Sequence, residues 1–444
     1  MRLDTIFALA SGQARAGIAV IRISGEKAGS TLTSLSGGPL PEARRAIRVQ
    51  LSDPSSGEAL DSGLALWFPA PRSFTGEAVA ELHLHGGRAC VEDLLAALSR
   101  LPGLRLADPG EFTRRAFENG KLDLTEVEGL ADLVQAETTA QRRQALRQFE
   151  GALGKRYEGW RKILLQALAH IEAEIDFVDE ELPKDTVTDA GKAATRAAEE
   201  IRAHLSDNRR GERLREGFWI VLLGAPNSGK STLLNAIARR EAAIVSAEPG
   251  TTRDIVEVGL DLNGFPVVFA DTAGLRVAKG VIEQEGVKRA RKRASESDLR
   301  LTLFDGNVWP ECDVETQALV GKNSIPVITK ADLHRKIENP RIKNIDAISI
   351  SAKTGEGMGR LLERLEKEIE TRMEGSETAP LTRLRHRVGL EDCAQALERF
   401  SKASAPELAA EDLRLAIRAL GKITGRVDVE DMLDCLFAEF CIGK

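Results

Sequence analysis

The 444-residue chain is predicted to be a multidomain α/β protein. It would comprise an N-terminal α/β domain, a discontinuous all-α helical domain, and a doubly wound α/β domain inserted into that helical domain. Three observations predict this. Short apolar strands alternate with Gly/Pro-rich turns near the start; helical periodicity appears in two separate stretches; and between those stretches an apolar run, FWIVLLG, leads straight into GAPNSGKS at 224–231. The length alone asks for two to four domains.

Residues 1–118 carry the strand-like runs GIAVIRIS, LALWF and VAELHLH and one helix-like run, CVEDLLAALSRL, as a compact α/β domain would. ADPGEFTRRAFENGK closes the domain, its Pro-Gly-Glu reading as a turn into a helix start. Residues 119–215 lose the strands. Leu146, Phe149, Leu153, Tyr157, Trp160, Leu164, Leu168, Ile171 and Ile175 recur at three- and four-residue steps, which predicts one long helix ended by the acidic FVDEELP run. A second, more polar helical pattern then reaches Arg215. Residues 216–372 alternate strands and helices as a doubly wound sheet demands. Beyond the GSETAP linker, residues 381–444 return to helical periodicity, so that 373–444 forms the second part of the discontinuous domain.

Composition narrows the class. A hydrophobic fraction of 42% with little low-complexity sequence describes a globular chain, and no apolar run is long enough to span a bilayer. MRLDTIFALA lacks signal-peptide architecture, so a cytoplasmic protein without a membrane is expected. Cys90, Cys312, Cys393, Cys435 and Cys441 are scattered without a CxxC pair, which suits a reducing compartment better than disulfides or zinc. A net charge of −6 argues against a nucleic-acid coat but leaves room for local basic patches.

The chemistry is concentrated in the middle of the chain. A Gly-x4-Gly-Lys-Ser loop leaves main-chain N–H groups free to wrap a polyphosphate, and the following helix points its positive end at the same charge. Asn227, Ser228, Gly229, Lys230, Ser231 and Thr232 form that cradle; Lys230 would bridge the outer phosphates and Ser231 would ligate Mg2+. GTTRD (250–254), DTAG (271–274), TKAD (329–332) and SAK (351–353) follow in the order of a guanine-nucleotide site. Asp271, with Thr272 and Ala273 beside it, would hold Mg2+ through water, and the Gly274 N–H would meet the γ-phosphate. Thr252 is the switch threonine that joins Mg2+ when that phosphate is present. Asp332 would accept the paired N–H donors of guanine, Lys330 would lay its stem on the base, and Ala352, between Ser351 and Lys353, would offer a main-chain N–H to the guanine carbonyl. Thr329 stands where Asn is usual, and a threonine lacks the paired donor and acceptor of an amide. Guanine specificity should persist through Asp332 with some loss of affinity.

Two departures bear on hydrolysis. Leu275 occupies the position where Ras-like proteins carry a water-orienting Gln, so the catalytic carboxylate must come from elsewhere; Glu283 and Glu285 are the nearest candidates. Asn227 could offer its amide oxygen to a monovalent cation beside the phosphates, or serve only the turn geometry of the loop.

Together these features resemble the TrmE (MnmE) family of tRNA-modification GTPases over the whole chain. The resemblance rests on GIAVIRISG, LWFPAPRSFTGEAVAELHLHGG, DPGEFTRRAF with NGKLDL, EGALG, the GTPase motifs and the terminal CIGK. It implies an N-terminal folate-binding and dimerisation domain, a discontinuous helical domain, and an inserted Ras-like GTPase domain. It also implies a homodimer that joins the FAD-dependent protein MnmG, in a heterotetramer or larger complex, to install a carboxymethylaminomethyl-type group at C5 of the tRNA wobble uridine. The one-carbon donor would be 5-formyl- or methylene-tetrahydrofolate. The resemblance places folate contacts at Arg22, Glu81, Lys121 and Lys444, and a K+ cage at Asn227, Ser246, Glu248 and Thr251. It selects Glu283 over Glu285 as the water-activating carboxylate and gives Cys441 a candidate catalytic role.

Other groups have duller readings beside the functional one. Glu81, His83 and His85 share a strand face, which could hold a metal but more simply lines a polar pocket. KRARKR (288–293) reads first as a solvated helix face and next as a tRNA or partner contact, and Arg142, Arg143 and Arg147, on one helix flank, are a second tRNA candidate. Cys435 reads as a small buried side chain. The main rival to the whole assignment is a GTPase switch that assembles ribosomes by binding rRNA; the first ~120 residues separate the two, since a folate pocket has no purpose there.

Overall fold

The computed structural model describes residues 4–12, 14–176, 184–240, 243–244, 256–271, 297–334, 337, 339–373, 379–427, 430–438, 440 and 442–443. The chain forms two compact units. The first contains 1–131, 148–191 and 402–444; the second contains 132–147 and 192–401.

In the first unit, β1 (Thr5–Leu9), β2 (Ile18–Ser24), β3 (Ile47–Ser52), β4 (Ala59–Phe68), β5 (Val79–His85) and β6 (Leu104–Leu106) form one sheet in the order β3-β4-β5-β2-β1-β6. All neighbours are antiparallel except β1 and β6. Alternation along β2 sends Ile21 and Ile23 inward, while Arg22 faces the other way and pairs in register with Glu81 of β5. Helices α1 (Ala28–Ser36) and α2 (Arg88–Arg100) cover the apolar face with Leu32, Leu35, Leu94 and Leu98. On the other side lies α3 (Glu111–Glu118), whose Phe112 is buried with Ile6 and Ala8.

Helices α4 (Leu124–Gln135), α5 (Thr139–Phe149) and α6 (Ala152–Asp176) follow. The single long helix expected from Leu146 to Ile175 is therefore two helices. Gly151 takes a left-handed φ of +83° and its N–H returns to the Gln148 carbonyl at 2.9 Å, which ends α5 before α6 begins. Leu146 is correspondingly half exposed rather than part of the apolar seam. The polar stretch before Arg215 also divides, into α7 (Lys184–Leu205) and α8 (Arg210–Glu216), because Asn208 and Arg209 both adopt positive φ between them.

The second unit carries β7 (Phe218–Gly224), α9 (Lys230–Arg240), β8 (Ala243–Ile244), β9 (Val256–Leu262), β10 (Phe265–Asp271), β11 (Leu299–Asp305), α10 (Val314–Ala318), β12 (Ser324–Thr329), the hairpin β13 (Arg341–Ile342) and β14 (Ile345–Asp346), β15 (Ile348–Ser349), α11 (Met358–Met373) and α12 (Leu384–Phe400). Seven strands form a sheet ordered β15-β12-β11-β7-β10-β9-β8. From β15 to β10 they run parallel; β9 and β8 extend the edge antiparallel. Buried on both faces, β12 reads SIPVIT without polar alternation, as a covered parallel strand should. Leu233, Leu234 and Ile237 of α9 and Leu361, Leu365 and Ile369 of α11 pack into the same core.

The final helices α13 (Pro406–Thr424) and α14 (Glu430–Ala438) belong to the first unit. Against α6, α13 packs closely and adds a 2.8 Å Arg414–Glu172 ion pair. Leu433, Leu436 and Phe437 of α14 bury themselves against Leu124 and Val127 of α4. Gly443 then sits against the end of β1 with φ +104°, and a Cβ there would run into the Leu9 carbonyl oxygen.

Candidate nucleotide and pterin sites

The phosphate loop occupies the turn between β7 and α9, at the carboxyl end of a central parallel strand where open α/β sheets bind ligands. Gly224 ends β7 against β11 so tightly that a Cβ would meet the Leu303 carbonyl at 2.6 Å. Asn227 (φ +64°) and Gly229 (φ +95°) both take left-handed backbone, the kind of turn through which a loop can aim its N–H groups at an anion. Lys230 is buried, and its ammonium donates to the Gly224 and Ala225 carbonyls at 2.8 and 2.9 Å. Those carbonyls hold the charge within the loop that phosphates would line. Ser231 and Thr232 stand exposed on the first turn of α9, where a hydroxyl suits Mg2+; Asn227 is likewise exposed, with its amide available to a cation. Asp271 ends β10 beside β7, paired in register with Leu222.

At the far end of the loop the two base-reading segments are stitched together. Ala331 N–H donates to the Ile350 carbonyl at 3.0 Å, and Ile350 N–H to that of Ile328 at 2.8 Å. The buried Ser351 hydroxyl donates to Asp332 at 2.6 Å, a bond that holds the Asp332 carboxyl below its usual range. It also accepts the Thr354 N–H at 3.1 Å. Lys330, with φ +63°, forms a 2.5 Å ion pair with Asp305. Burial pushes Asp305 up, but the Lys330 ammonium and the Asn307 N–H outweigh it and leave the carboxyl low. Ala352 and Lys353 continue the Ser351 turn. Thr329, 4% exposed, directs its hydroxyl at the Ser228 carbonyl of the phosphate loop. Asn227 to Thr232, Thr329 to Asp332 and Ser351 to Lys353 thus converge on one edge of the sheet. Ser246, Glu248, Thr251, Thr252, Thr272, Ala273, Gly274 and Glu283 lie outside the described residues, as does KRARKR.

The first unit holds a second polar cluster. Arg22 pairs with Glu81 at 2.9 Å, both side chains about one-fifth exposed. Its guanidinium lies over the rings of Phe74 and Phe112, at 5.4 and 5.7 Å from their centroids. His83 Nε2 is 3.8 Å from the same carboxylate, whereas His85 turns outward to pair with Asp61 at 2.8 Å. The three residues of that face therefore split between two partners, and no His/Cys/Asp/Glu group among the described residues is arranged to hold a metal. Beside them the Ser24 hydroxyl reaches Thr75 (2.7 Å) and Glu77 (2.8 Å), and buried Arg115 ties Glu77, Asp4 and Glu111 together. Lys121 is exposed, its ammonium 3.3 Å from the Pro71 carbonyl. Cys441 and Lys444 lie outside the described residues; Gly443, between them in sequence, packs against Leu9 of β1. Sequence reasoning missed Phe74, Phe112, Glu77 and Arg115; all four lie within the two stretches RSFTGEAVAELH and DPGEFTRRAF that carried the resemblance.

A Walker-type loop ahead of α9, an Asp-bearing β10 and an Asp332 carboxylate held by Ser351, set in a mostly parallel sheet, are the features of a GTPase domain. The chain as a whole belongs to the MnmE (TrmE) family of tRNA-modification GTPases, and it is a GTP hydrolase. The family model for the MnmE helical domain matches residues 124–441, and that for the GTP-binding protein TrmE N-terminus matches 5–121. The chain is 55% identical to the tRNA modification GTPase MnmE of Paramagnetospirillum magneticum, covering 99% of this chain and 100% of the relative. It is 54% identical to that of Parvibaculum lavamentivorans over the full length of both. Among solved structures, the G domain of the Thermotoga maritima FeoB iron transporter aligns with 35% of this chain and 99% of its own, at 23% identity and a TM-score of 0.27. No helix among the described residues is long and apolar enough to cross a membrane.

Proposed function

We propose that this GTPase works in the cytoplasm as a homodimer and, with the FAD protein MnmG, installs a carboxymethylaminomethyl-type group at C5 of the tRNA wobble uridine. The observation that carries the reading is the Arg22–Glu81 pair, its guanidinium over the Phe74 and Phe112 rings, in the unit that does not hold the nucleotide. A pterin ring offers N3–H beside an exocyclic amine. Glu81 can accept that donor pair as Asp332 would accept the corresponding pair of guanine, while Arg22, supported from behind by the buried Phe112 ring, supplies a flat, cationic wall. Lys121 and the terminal Lys444 would suit the glutamate tail of a tetrahydrofolate carrying a one-carbon unit, and Cys441 is the candidate for chemistry at that unit. The alternative partner, rRNA, has no use for such a cluster, and the full-length relatives are named for tRNA.

In the nucleotide unit, Ser231 and Thr252 would hold Mg2+, and Asn227, Ser246, Glu248 and Thr251 would hold K+. These cations offset negative charge that grows on the phosphates. Lys230 leaves the loop carbonyls for the outer phosphates when nucleotide enters. Glu283 accepts the proton of the attacking water, the task that Leu275 cannot perform. Glu283→Ala should then bind GTP normally and hydrolyse it far more slowly, and Asn227→Ala should lose any preference for K+ over Na+.

Reconstitution tests the proposal. Unmodified tRNA, GTP, K+, a tetrahydrofolate donor and this protein should give no modified uridine until MnmG and FAD are added. Modification by this protein alone, or its failure in the complete mixture, contradicts the division of labour.

A further inference from the structure

Thr329 is where the guanine-reading segment departs from the usual Asn, and its surroundings show what replaces the amide. The side chain closes β12, and its hydroxyl lies 2.8 Å from the Ser228 carbonyl of the phosphate loop and 3.2 Å from the Phe304 carbonyl of β11. A hydroxyl has one proton, and both neighbours are pure acceptors, so the proton is spent between them. Only lone pairs remain on Oγ1. The imidazole edge of guanine, N7 with O6 beside it, also presents only lone pairs. An asparagine could give one amide hydrogen to the loop carbonyl and keep another for N7; this threonine has none to spare.

We propose that Thr329 is a positioning residue that braces the phosphate loop through the Ser228 carbonyl, and that this GTPase binds guanine without reading N7. The brace is local and close. Gly229, the next loop residue, faces the Thr329 side chain at ordinary contact distance, where a Cβ would stand 3.6 Å from it. Discrimination between purines is untouched, because adenine carries the same N7. Guanine is chosen at its other edge, by the Asp332 carboxylate that Ser351 holds in place. Affinity loses one bond while specificity is kept. The inference rests on guanine nucleotide occupying this loop, as the GTPase assignment requires.

The test compares GDP with 7-deaza-GDP, in which carbon replaces N7, by competition against a fluorescent GDP on the full-length protein. The unmodified protein should bind the two within about twofold. Thr329→Asn should tighten GDP but not 7-deaza-GDP, opening a gap of about fivefold, as expected of one neutral hydrogen bond. Thr329→Val, which keeps the shape and drops the hydroxyl, should weaken both nucleotides about fivefold and leave their ratio near one. Thr329→Ser should restore both.

GDP binding fivefold or more tighter than 7-deaza-GDP in the unmodified protein would show that N7 is read and overturn the proposal. Unchanged affinities in Thr329→Val would overturn the brace. Absence of GDP binding in the unmodified protein would remove the nucleotide site itself, a failure distinct from any change in the ratio. The central comparison uses the unmodified protein and needs no variant to fold.

Discussion

The two sheets of this chain present their candidate ligand-binding groups in opposite ways. In the seven-stranded sheet, the phosphate site is a turn of main chain: N–H groups around Asn227 and Gly229, with Lys230 folded onto the loop's own carbonyls. In the six-stranded sheet, the polar cluster is made of side chains on different elements, Arg22 on β2, Glu81 on β5 and Phe112 on α3, brought together by strand register and helix packing. A main-chain site depends on which residues permit the turn. A side-chain site depends on the whole unit being folded around it. The first should fail through single residues in the loop, and the second through any change that loosens the sheet.

The largest expected effect separates the two outright. Lys230→Ala should cut GTP hydrolysis by about 10³-fold, since the ammonium that meets the outer phosphates is gone. Folate binding, measured by calorimetry on the same preparation, should not change. A matching loss of folate binding would mean that the sites are not independent. Arg22→Ala is the reciprocal. It removes the charge over Phe74 and Phe112 and leaves Glu81 without its guanidinium partner, so tetrahydrofolate affinity should fall by about tenfold or more with GTP turnover intact. Unchanged folate affinity in both Arg22→Ala and Glu81→Ala would move the pocket elsewhere.

Acid should sharpen the contrast from the stability side. Burial raises the Glu111 carboxyl, but hydrogen bonds from Arg105, the Asp108 N–H and Arg115 outweigh it, and the group titrates below its ordinary 4.5. A carboxylate depressed by folding stabilises the native state above its unfolded pKa, and that stability is lost as pH falls through the folded value. Glu111→Gln should destabilise the first unit by about 2–3 kcal/mol at neutral pH, read as faster hydrogen exchange in β1 and β2. The difference from the unmodified protein should shrink once pH drops below 4.5. Exchange in β7 and β11 should be untouched. Gly443→Ala should cost about 1–3 kcal/mol where the chain end meets Leu9, through the positive φ and the carbonyl behind it. Wobble-uridine modification should fall with it while GTP turnover stays normal.

The smallest effect is a null. Burial, with Asp392 nearby, pushes the Cys393 thiol up to about 12, so the thiolate is scarce at pH 8. Iodoacetamide should leave it unmodified in the native protein, as peptide mass mapping would show. Rapid labelling of Cys393 would mean that α12 opens readily.

The same contrast explains how much could be read from the chain. GAPNSGKS spells a main-chain phosphate loop because glycine spacing and a following helix are themselves sequence features, and strand FWIVLLG falls where it was expected. The Arg22 cluster has no such spelling. Phe112 is an unremarkable buried aromatic until β1, β2 and α3 are assembled, and Glu77 and Arg115 meet across 38 residues. Resemblance pointed to Arg22 and Glu81, whereas the two rings beside the Arg22 guanidinium came only from the fold. Periodicity likewise carried through Phe149 into Leu153, since the apolar rhythm continues while Gly151 breaks the helix. Thr329 was legible as a departure, but its bond to the Ser228 carbonyl was not, because 101 residues separate the partners.

That two differently built sites serve one reaction is most directly tested on tRNA. Bulk tRNA would be isolated from strains carrying Lys230→Ala or Arg22→Ala in place of the native gene and digested for nucleoside mass spectrometry. Both strains should lack the 5-substituted wobble uridine and carry the unmodified or partly modified base in its place. Full modification in either strain, with the variant protein present at normal level, would show that its site is not required and contradict the account.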